Sequence, residues 1–195
     1  MKWFHKKTGS ASTLPVLSTE RLVLRGFEMS DAVSVLGYAQ SEKVAVMAGF
    51  APHRSVEESR LMVQKFMETD AHWAVVEKST GRVIGSISLQ VDGKRRLETA
   101  RRMGYVLGEG YWGQGYATEA CREVLRYAFE ELGCTVISAD LFPANTKSKR
   151  VLKKLGFTPE GVLRHARELP DGTVSDLITH SLLKSEYETQ KTKNK

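Results

Sequence analysis

The sequence is short of the features that mark secreted, membrane-spanning and low-complexity proteins. Its 195 residues include two cysteines, fewer than a disulfide framework normally uses. No apolar run approaches the roughly 18 to 20 residues that a membrane-spanning helix needs, and the first 15 residues lack the apolar segment of a secretory signal. These absences predict a cytoplasmic protein without a membrane partner, in which Cys121 and Cys134 are buried or inert thiols.

Clustered metal-binding side chains are also lacking. A zinc site would need His or Cys residues at close, regular spacing, and the five histidines are scattered along the chain. They are His5, His53, His72, His165 and His180. We therefore predict no metal site.

Negative charge is in the minority, since 29 Lys and Arg face 23 Asp and Glu, for a formal net charge of +6. Part of the excess lies at the two chain ends, where solvated tails are expected. The basic run at 147–154 lies where a helix should begin, a place suited to phosphate. It lacks the interleaved aromatic residues of a single-strand nucleic-acid platform. The charge therefore favours a small anionic ligand over nucleic acid.

Strand and helix periodicities alternate along the chain. Strand patterns occupy residues 21–27, 72–78, 83–90, 101–107 and 135–142, and a final hairpin turns at 170–172. Helical patterns follow Asp31, the capping box of Ser55 and Glu58, and the glycine-rich stretch before Ala120. Because hairpins dominate and one strand–helix–strand crossover lies in the middle, we predict an α+β fold with a mixed, mostly antiparallel sheet flanked by helices.

Residues 105–120, YVLGEGYWGQGYATEA, contain two glycine spacings. Gly108, Gly110 and Gly113 fit the G-x-G-x-x-G pattern of a dinucleotide site, which expects an acidic residue about 20 positions further on. The acidic residue that ends the next strand is Asp140, which comes 27 positions after Gly113. This spacing is too long, and the chain that follows is too short for a doubly wound sheet.

The tighter set of Gly113, Gly115 and Ala117 has a better physical explanation. A loop that enters a helix exposes backbone N–H groups without carbonyl partners, and their dipoles converge on one place. Glycines there remove the Cβ atoms that would hold a phosphate away. The pattern favours a pyrophosphate cradle, although a loop that merely closes a strand–helix turn would also use glycine.

The stretch MGYVLGEGYWGQGYATEA at 103–120 resembles the acyl-CoA motif of the GNAT superfamily of acetyltransferases. Gly115 and Ala117 match that motif, while Trp112 stands where the pattern has Gln or Arg. The later NTKSKRVLKKLGF at 145–157 resembles the RimJ/RimL-like branch, which acetylates protein N-terminal amines and some small amines. The resemblance implies the GNAT fold, in which the sheet is splayed at a β-bulge and the thioester lies in the cleft.

The resemblance covers about residues 18–184. We therefore predict one GNAT-like domain over 18–186, preceded by a flexible basic segment at 1–17 and followed by a polar tail at 187–195. The resemblance is also compatible with a homodimer.

The implied activity is transfer of the acetyl group of acetyl-CoA to a primary amine, by direct attack in a ternary complex. The favoured acceptor is a protein N-terminal α-amine of the ribosomal-protein type. A small metabolite or antibiotic amine is the alternative, and a non-catalytic acyl-CoA sensor is an alternative of another class.

The resemblance assigns cofactor contacts to three groups of residues. The backbone of Val106 and Leu107, beside Tyr105, would bind the pantetheine arm and face the oxyanion. The pyrophosphate would be held by Trp112, Gly113, Gln114, Gly115, Tyr116, Ala117 and Thr118. Asn145 and Ser148 would meet the pantetheine and the sulfur, and Ser148 is the candidate that protonates the thiolate; helix capping is the alternative for this pair.

The general base is the least defined part of the site. Many relatives have Glu near position 102, where this chain has Arg102, and Leu152 replaces the Tyr that serves elsewhere as acid. Other relatives have a Glu on the C-terminal hairpin, at the position that Arg167 holds in this chain. Glu168, the next residue, is a weak candidate because a shift of one residue turns a strand side chain to the other face. Bulk water is the alternative. A basic lining of Arg96, Arg101, Arg102 and Arg167 would favour an acidic acceptor.

Overall fold

A computed structural model describes residues 13–193 of the chain as one eight-stranded sheet with helices packed on both faces. The strands are β1 (Leu17–Ser18), β2 (Leu22–Gly26), β3 (His72–Glu77), β4 (Val83–Val91), β5 (Ala100–Leu107), β6 (Val136–Leu141), β7 (Thr158–Glu168) and β8 (Val174–Leu183). The helices are α1 (Ala32–Ala39), α2 (Glu42–Ala48), α3 (Val56–Thr69), α4 (Tyr116–Arg126), α5 (Thr146–Lys154) and α6 (Lys184–Lys193).

The strands lie in the order β1-β2-β3-β4-β5-β6-β8-β7. Every neighbouring pair is antiparallel except β5 and β6, which run parallel and are joined through α4. The predicted α+β fold with a mixed, mostly antiparallel sheet is confirmed.

The two faces of the sheet carry two separate cores, because side chains alternate along each strand. On β6, Ile137, Ala139 and Leu141 join the core that packs against α4 and α5. Ser138 and Asp140 have the opposite parity and face the side on which α1 and α3 pack. This alternation sorts the functional side chains of the central strands into two groups, one on each face.

Strands β5 and β6 separate after a short pairing. Residues 100–102 pair with residues 136–138, and the two strands diverge beyond Arg102 and Ser138. The expected splay is therefore present, but the β-bulge expected with it is not in the β4–β5 ladder, which keeps one register from Gly85–Leu107 to Val91–Arg101. Instead, a Cβ at Gly85 would lie 2.1 Å from the Val106 carbonyl oxygen. A glycine on β4 thus accommodates the backbone of β5 at the splay.

The N-terminal segment is docked as far as the structure describes it. Residues 1–12 of the predicted flexible segment lie outside the described residues, whereas the Thr13 N–H donates to Asp70 over 2.9 Å. The indole of Trp73 donates to the Pro15 carbonyl over 2.9 Å, and Leu17 is buried. At least residues 13–17 are thus tied to the sheet, contrary to the expectation of a flexible segment up to residue 17.

The predicted polar tail is a helix where it is described. Helix α6 includes Tyr187, whose ring stacks on Phe129 with centroids 4.9 Å apart. The Tyr187 hydroxyl donates to Glu130 over 2.6 Å, and Lys191 pairs with the same carboxylate at 2.6 Å. The aromatic stack and the shared carboxylate stabilise α6, although the hydrophobic periodicity of this segment is weak.

The structure bears on the cysteines, on membrane-spanning helices and on metal-binding groups. Cys121 and Cys134 are both buried free thiols, as expected. Among residues 13–193, none of the helices has the length and apolar character needed to cross a bilayer, and no group of three or more His, Cys, Asp or Glu could hold a metal ion.

Candidate active site

The candidate site is the gap that opens where β5 leaves β6. Beyond Arg102 no strand among residues 13–193 pairs with the β6-facing edge of β5. The backbone N–H and C=O groups of alternate residues between 103 and 107 therefore face the gap, where they can bind an extended ligand, while the others pair with β4. The glycine-rich loop and α4 follow β5, and α5 follows β6, so the N-terminal ends of two helices lie next to the gap.

The loop before α4 has the conformation expected of an anion cradle. Gly113 and Gly115 have φ angles of 79° and 88°, in the left-handed region that other residues seldom adopt. None of the N–H groups of residues 113–118 has a backbone carbonyl partner within residues 13–193. These orphan donors and the positive end of the α4 dipole favour an anion at this place.

Arg21 holds this loop through hydrogen bonds, and no local sequence pattern predicts this contact. Its Nε donates to Glu119 over 2.7 Å, and its Nη1 donates to the Gln114 carbonyl over 3.1 Å. The guanidinium also lies 4.3 Å from the ring centroid of Tyr116. The hydrogen bond to Glu119 raises the pKa of Arg21 above its usual value. Arg21 therefore connects β2 to both the cradle and the first turn of α4.

Trp112 joins the loop to β5 and α5. Its indole N–H donates to the Leu107 carbonyl over 2.8 Å, at the last residue of β5. The ammonium of Lys147, in the first turn of α5, lies 3.8 Å from the Trp112 ring centroid. Trp112 thus acts as a spacer between the two helix ends, a role that differs from the hydrogen bonding available to Gln or Arg.

Tyr105 and Ser148 meet on the α4–α5 side of the gap. Their hydroxyl oxygens are 2.6 Å apart. Burial raises the pKa of the Tyr105 phenol well above its usual value, so the phenol keeps its proton and can donate to Ser148 Oγ. The hydrogen of the serine hydroxyl is then free for a third group. Leu152, which stands at the position of the usual tyrosine acid, is packed in the core.

Asn145 is the N-cap of α5. Its Oδ1 accepts the Ser148 N–H over 3.0 Å, and its Nδ2 donates to the Met47 carbonyl over 3.2 Å. The capping interpretation therefore describes the contacts of Asn145, which also ties α2 to the gap. The hydroxyl of Ser148 is not needed for the cap, because the Ser148 backbone makes that bond.

A polar row crosses the opposite face of the same gap. Arg102 Nη2 donates to Gln90 Oε1 over 3.1 Å, and Arg102 Nη1 lies 3.8 Å from Asp140 Oδ2. Since Arg102 has only donors, the oxygen of Gln90 faces it and Gln90 Nε2 donates to His72 Nε2 over 3.1 Å. His72 must then be neutral with its hydrogen on Nδ1, next to Thr69 Oγ1.

We expect His72 to make stability depend on pH. Burial lowers its pKa from 6.5 to about 4, so the unfolded chain binds a proton that the folded chain does not between these two values. The stabilising contribution is present above pH 6.5 and is lost as the pH falls towards about 4. Allowing for partial exposure, the loss is on the order of 2 kcal/mol.

Urea unfolding at pH 7.5 and pH 4.5 would measure this effect. The loss of unfolding free energy between the two pH values should be smaller in His72→Gln than in the wild type. His165→Gln, on the exposed β7, is the matched control and should retain the full loss. Equal losses in all three proteins would contradict the assignment.

The predicted basic lining is not assembled. Arg101 has the opposite strand parity to Arg102, and its Nη1 donates to the carbonyls of Glu98 and Ala100. Arg96 is exposed in the connection between β4 and β5, and Arg167 lies near the far end of β7. Of the four predicted arginines, Arg102 is the one that borders the gap.

Glu168 is not brought to the gap either. It pairs with Val174 at the tip of the β7–β8 hairpin, four residues beyond Ile178, where the β6–β8 pairing ends. At about 3.3 Å per residue, this is about 13 Å beyond the end of β6. The carboxylate that does border the gap is Asp140, whose spacing from Gly113 is too long for a dinucleotide site.

Comparison with known proteins agrees with this geometry. Residues 21–158 match the family model described as the acetyltransferase (GNAT) domain. The chain is 34% identical over 179 residues to the uncharacterized N-acetyltransferase p20 of Bacillus licheniformis, with 89% of this chain and 99% of that protein covered.

Solved structures show the same fold. The ribosomal-protein-S5-alanine acetyltransferase from Vibrio fischeri superposes with a TM-score of 0.73 at 25% identity, over 89% of this chain and 98% of that chain. The spermidine N-acetyltransferase from Vibrio cholerae, solved with CoA and spermine, superposes with a TM-score of 0.72 at 20% identity, over 87% and 99%. With the family match, these findings show that the chain belongs to the GNAT family and is an acetyl-CoA-dependent N-acetyltransferase.

Proposed function

We propose that the protein transfers the acetyl group of acetyl-CoA to the N-terminal α-amine of another protein, within a ternary complex. Residues 18–186 would form the transferase domain, with acetyl-CoA bound on the α4–α5 side of the gap. The N–H groups of residues 113–118 would hold the pyrophosphate, and the free edge of β5 at Val106 and Leu107 would bind the pantetheine arm and the oxyanion.

The two faces of the gap suit direct transfer. The amine nitrogen attacks the thioester carbonyl carbon, the C–N bond forms and the C–S bond breaks. The departing thiolate then takes the proton of the Ser148 hydroxyl, which water restores, while the hydrogen bond from the protonated Tyr105 phenol stabilises the Ser148 oxygen. Because Arg102 occupies the usual position of the base, the proton of the amine passes to water. Asn145 would act by holding the start of α5, and so the position of Ser148.

The observation that carries the acceptor class is the exposure of β7. All eleven residues of β7 are exposed, and the β7–β8 hairpin stands beside the acceptor face. An open, exposed strand surface of this kind suits an extended peptide better than a small amine, which needs an enclosed pocket. The similarity to the ribosomal-protein-S5-alanine acetyltransferase, and the resemblance to the RimJ/RimL-like branch, support the same class.

A polyamine is the competing acceptor, in view of the fold shared with the spermidine enzyme. Polycations bind where acidic groups are in excess. On this acceptor face, Lys94, Arg95 and Arg102 balance the acidic Asp92, Asp140 and Glu160, and the charges pair with one another. This balance favours an acceptor with a single positive charge.

Release of CoA thiol should distinguish these acceptors. Short peptides with a free N terminus are compared with the same peptides N-acetylated, with spermidine and with small metabolite amines. We expect kcat/KM for at least one free peptide to exceed that for spermidine at least tenfold, with no turnover of the blocked peptides. A higher kcat/KM for spermidine or a small amine would overturn the proposed acceptor class, and acetyl-CoA binding without any turnover would favour a sensor.

A further inference from the structure

We propose that Asp140 binds the ammonium form of the acceptor, and that the side chain of Lys94 occupies this position until the acceptor replaces it. The inference rests on the proposed function in so far as the acceptor is a primary amine. It adds an acceptor-binding residue and a built-in competitor to the site.

Asp140 is a nearly buried carboxylate at the mouth of the gap. It lies on β6 two residues past Ser138, where the pairing with β5 ends, and its side chain faces the side opposite the Tyr105–Ser148 pair. The side chain is 9% exposed. Its Oδ1 accepts from Thr179 Oγ1 over 3.0 Å, while Oδ2 has no hydrogen-bond partner within residues 13–193. An ammonium that replaces Lys94 at Oδ1 can therefore donate a second hydrogen bond to the buried Oδ2, which lacks a donor among these residues.

Lys94 presents the same chemical group that an acceptor would bring. Its ammonium donates to Asp140 Oδ1 and, over 3.3 Å, to Thr179 Oγ1. Lys94 lies in the turn that follows β4, and its side chain is 35% exposed. A long, flexible side chain on a turn can move away without disturbing the strands that hold Asp140. Exchange of one ammonium for another keeps the charge at Asp140 constant.

A cavity of about 260 Å³ gives access to this position. Lys94 and Thr179, which both contact Asp140 Oδ1, line it together with Glu160, Val162 and Leu163 of β7. Its volume suits one side chain of a peptide, and its lining offers both apolar and polar contacts. The first side chain of an acceptor can thus occupy the cavity while its amine reaches Asp140.

Arg102 explains why such an anchor would still allow catalysis. An isolated carboxylate would stabilise the charged ammonium and oppose the loss of the proton that attack requires. Here the Arg102 guanidinium lies 3.8 Å from the second oxygen of Asp140 and offsets its negative charge. The anchor therefore positions the nitrogen by a hydrogen bond without strongly favouring its charged form.

Steady-state kinetics of two variants test the exchange. We expect Asp140→Asn to raise the acceptor KM at least tenfold while kcat changes less than threefold and the acetyl-CoA KM is unchanged. Lys94→Met should lower the acceptor KM at least threefold, because it removes the competitor, and this gain should vanish in the double variant. Arg96→Met, in the same connection, is the matched control for loss of a cation and should change neither parameter.

Two results would overturn the inference. One is an acceptor KM within twofold of wild type in Asp140→Asn. The other is a KM that rises in Lys94→Met, which would mean that Lys94 holds Asp140 in place rather than competes for it. The assay uses whichever primary amine the wild type acetylates best, so an absence of peptide turnover refutes the proposed function without deciding the role of Asp140.

Trace labelling with acetic anhydride gives a readout that needs no turnover. Labelling of Lys94 is measured relative to the exposed Lys153. A peptide with a free N terminus should raise Lys94 labelling several-fold, because the ammonium is released, whereas the same peptide N-acetylated should not. Equal labelling with both peptides would overturn the exchange.

Discussion

Replacement of Gly115 by alanine is expected to weaken acetyl-CoA binding at least tenfold. The φ of Gly115 is 88°, and an alanine there carries a strain of roughly 1–2 kcal/mol. The new Cβ would also lie 3.3 Å from an Arg21 guanidinium nitrogen, which is held by Glu119. Relief of either conflict moves the Gln114–Gly115 peptide and turns its N–H away from the pyrophosphate. Isothermal titration with acetyl-CoA measures the change.

Gly81→Ala is the matched control for backbone strain. Gly81 has a φ of 67° in the β3–β4 turn, and a Cβ there meets nothing within 4 Å. Both variants should lose unfolding free energy in urea through backbone strain, but acetyl-CoA affinity should fall in Gly115→Ala alone. Equal affinities in the two variants would contradict the assignment of the loop to the pyrophosphate.

The conformation of the loop before α4 could be predicted because its physical basis is local. Glycines two residues apart before a helical stripe require left-handed backbone and leave orphan N–H groups, and both features are present at Gly113 and Gly115. Arg21 could not be predicted in the same way. Its partner Glu119 is 98 residues distant in the sequence, and nothing in either local pattern indicates that β2 lies behind the loop.

The contacts on the acceptor face depend on strand parity and strand order, which local sequence patterns do not predict. The side chains of Arg102 and Asp140 meet because β5 and β6 are adjacent and parallel, and this requires the sheet order. Sequence proximity instead grouped Arg101 with Arg102, although adjacent strand residues face opposite sides. Glu168 is a candidate from the sequence because its hairpin is next to the site. The β7–β8 register, however, places Glu168 opposite Val174, near the tip of the hairpin and away from the gap.

The helix at the C-terminal end, α6, could not be predicted from the sequence either. Helix α6 carries few apolar residues, so its periodicity resembles a solvated tail. What fixes it is the stack of Tyr187 on Phe129 and the carboxylate of Glu130, which lie in the π-helical segment Tyr127–Glu131 after α4. Such tertiary contacts override a weak local propensity.

Ser148→Ala is expected to lower kcat about 100-fold while the acetyl-CoA KM stays within twofold. General acid catalysis typically contributes about 10²- to 10⁴-fold, and the loss should fall on kcat because the thiolate forms only as the C–S bond breaks. The Asn145 cap should survive, because it bonds to the backbone N–H of Ser148. Thr146→Ala, on the exposed first residue of α5, is the matched control and should retain wild-type kcat.

The hydrogen bond between Tyr105 and Ser148 provides a second test of this prediction. If Tyr105 acts by donating to Ser148 Oγ, 2.6 Å away, Tyr105→Phe should lower kcat by less than Ser148→Ala, and the double variant should be no slower than Ser148→Ala alone. Additive losses would mean that the two hydroxyls act independently, and a larger loss in Tyr105→Phe would make the phenol itself the acid. Because the two hydroxyls share one hydrogen bond and Ser148 lies at the start of α5, non-additive losses centred on the serine are the outcome that this geometry requires.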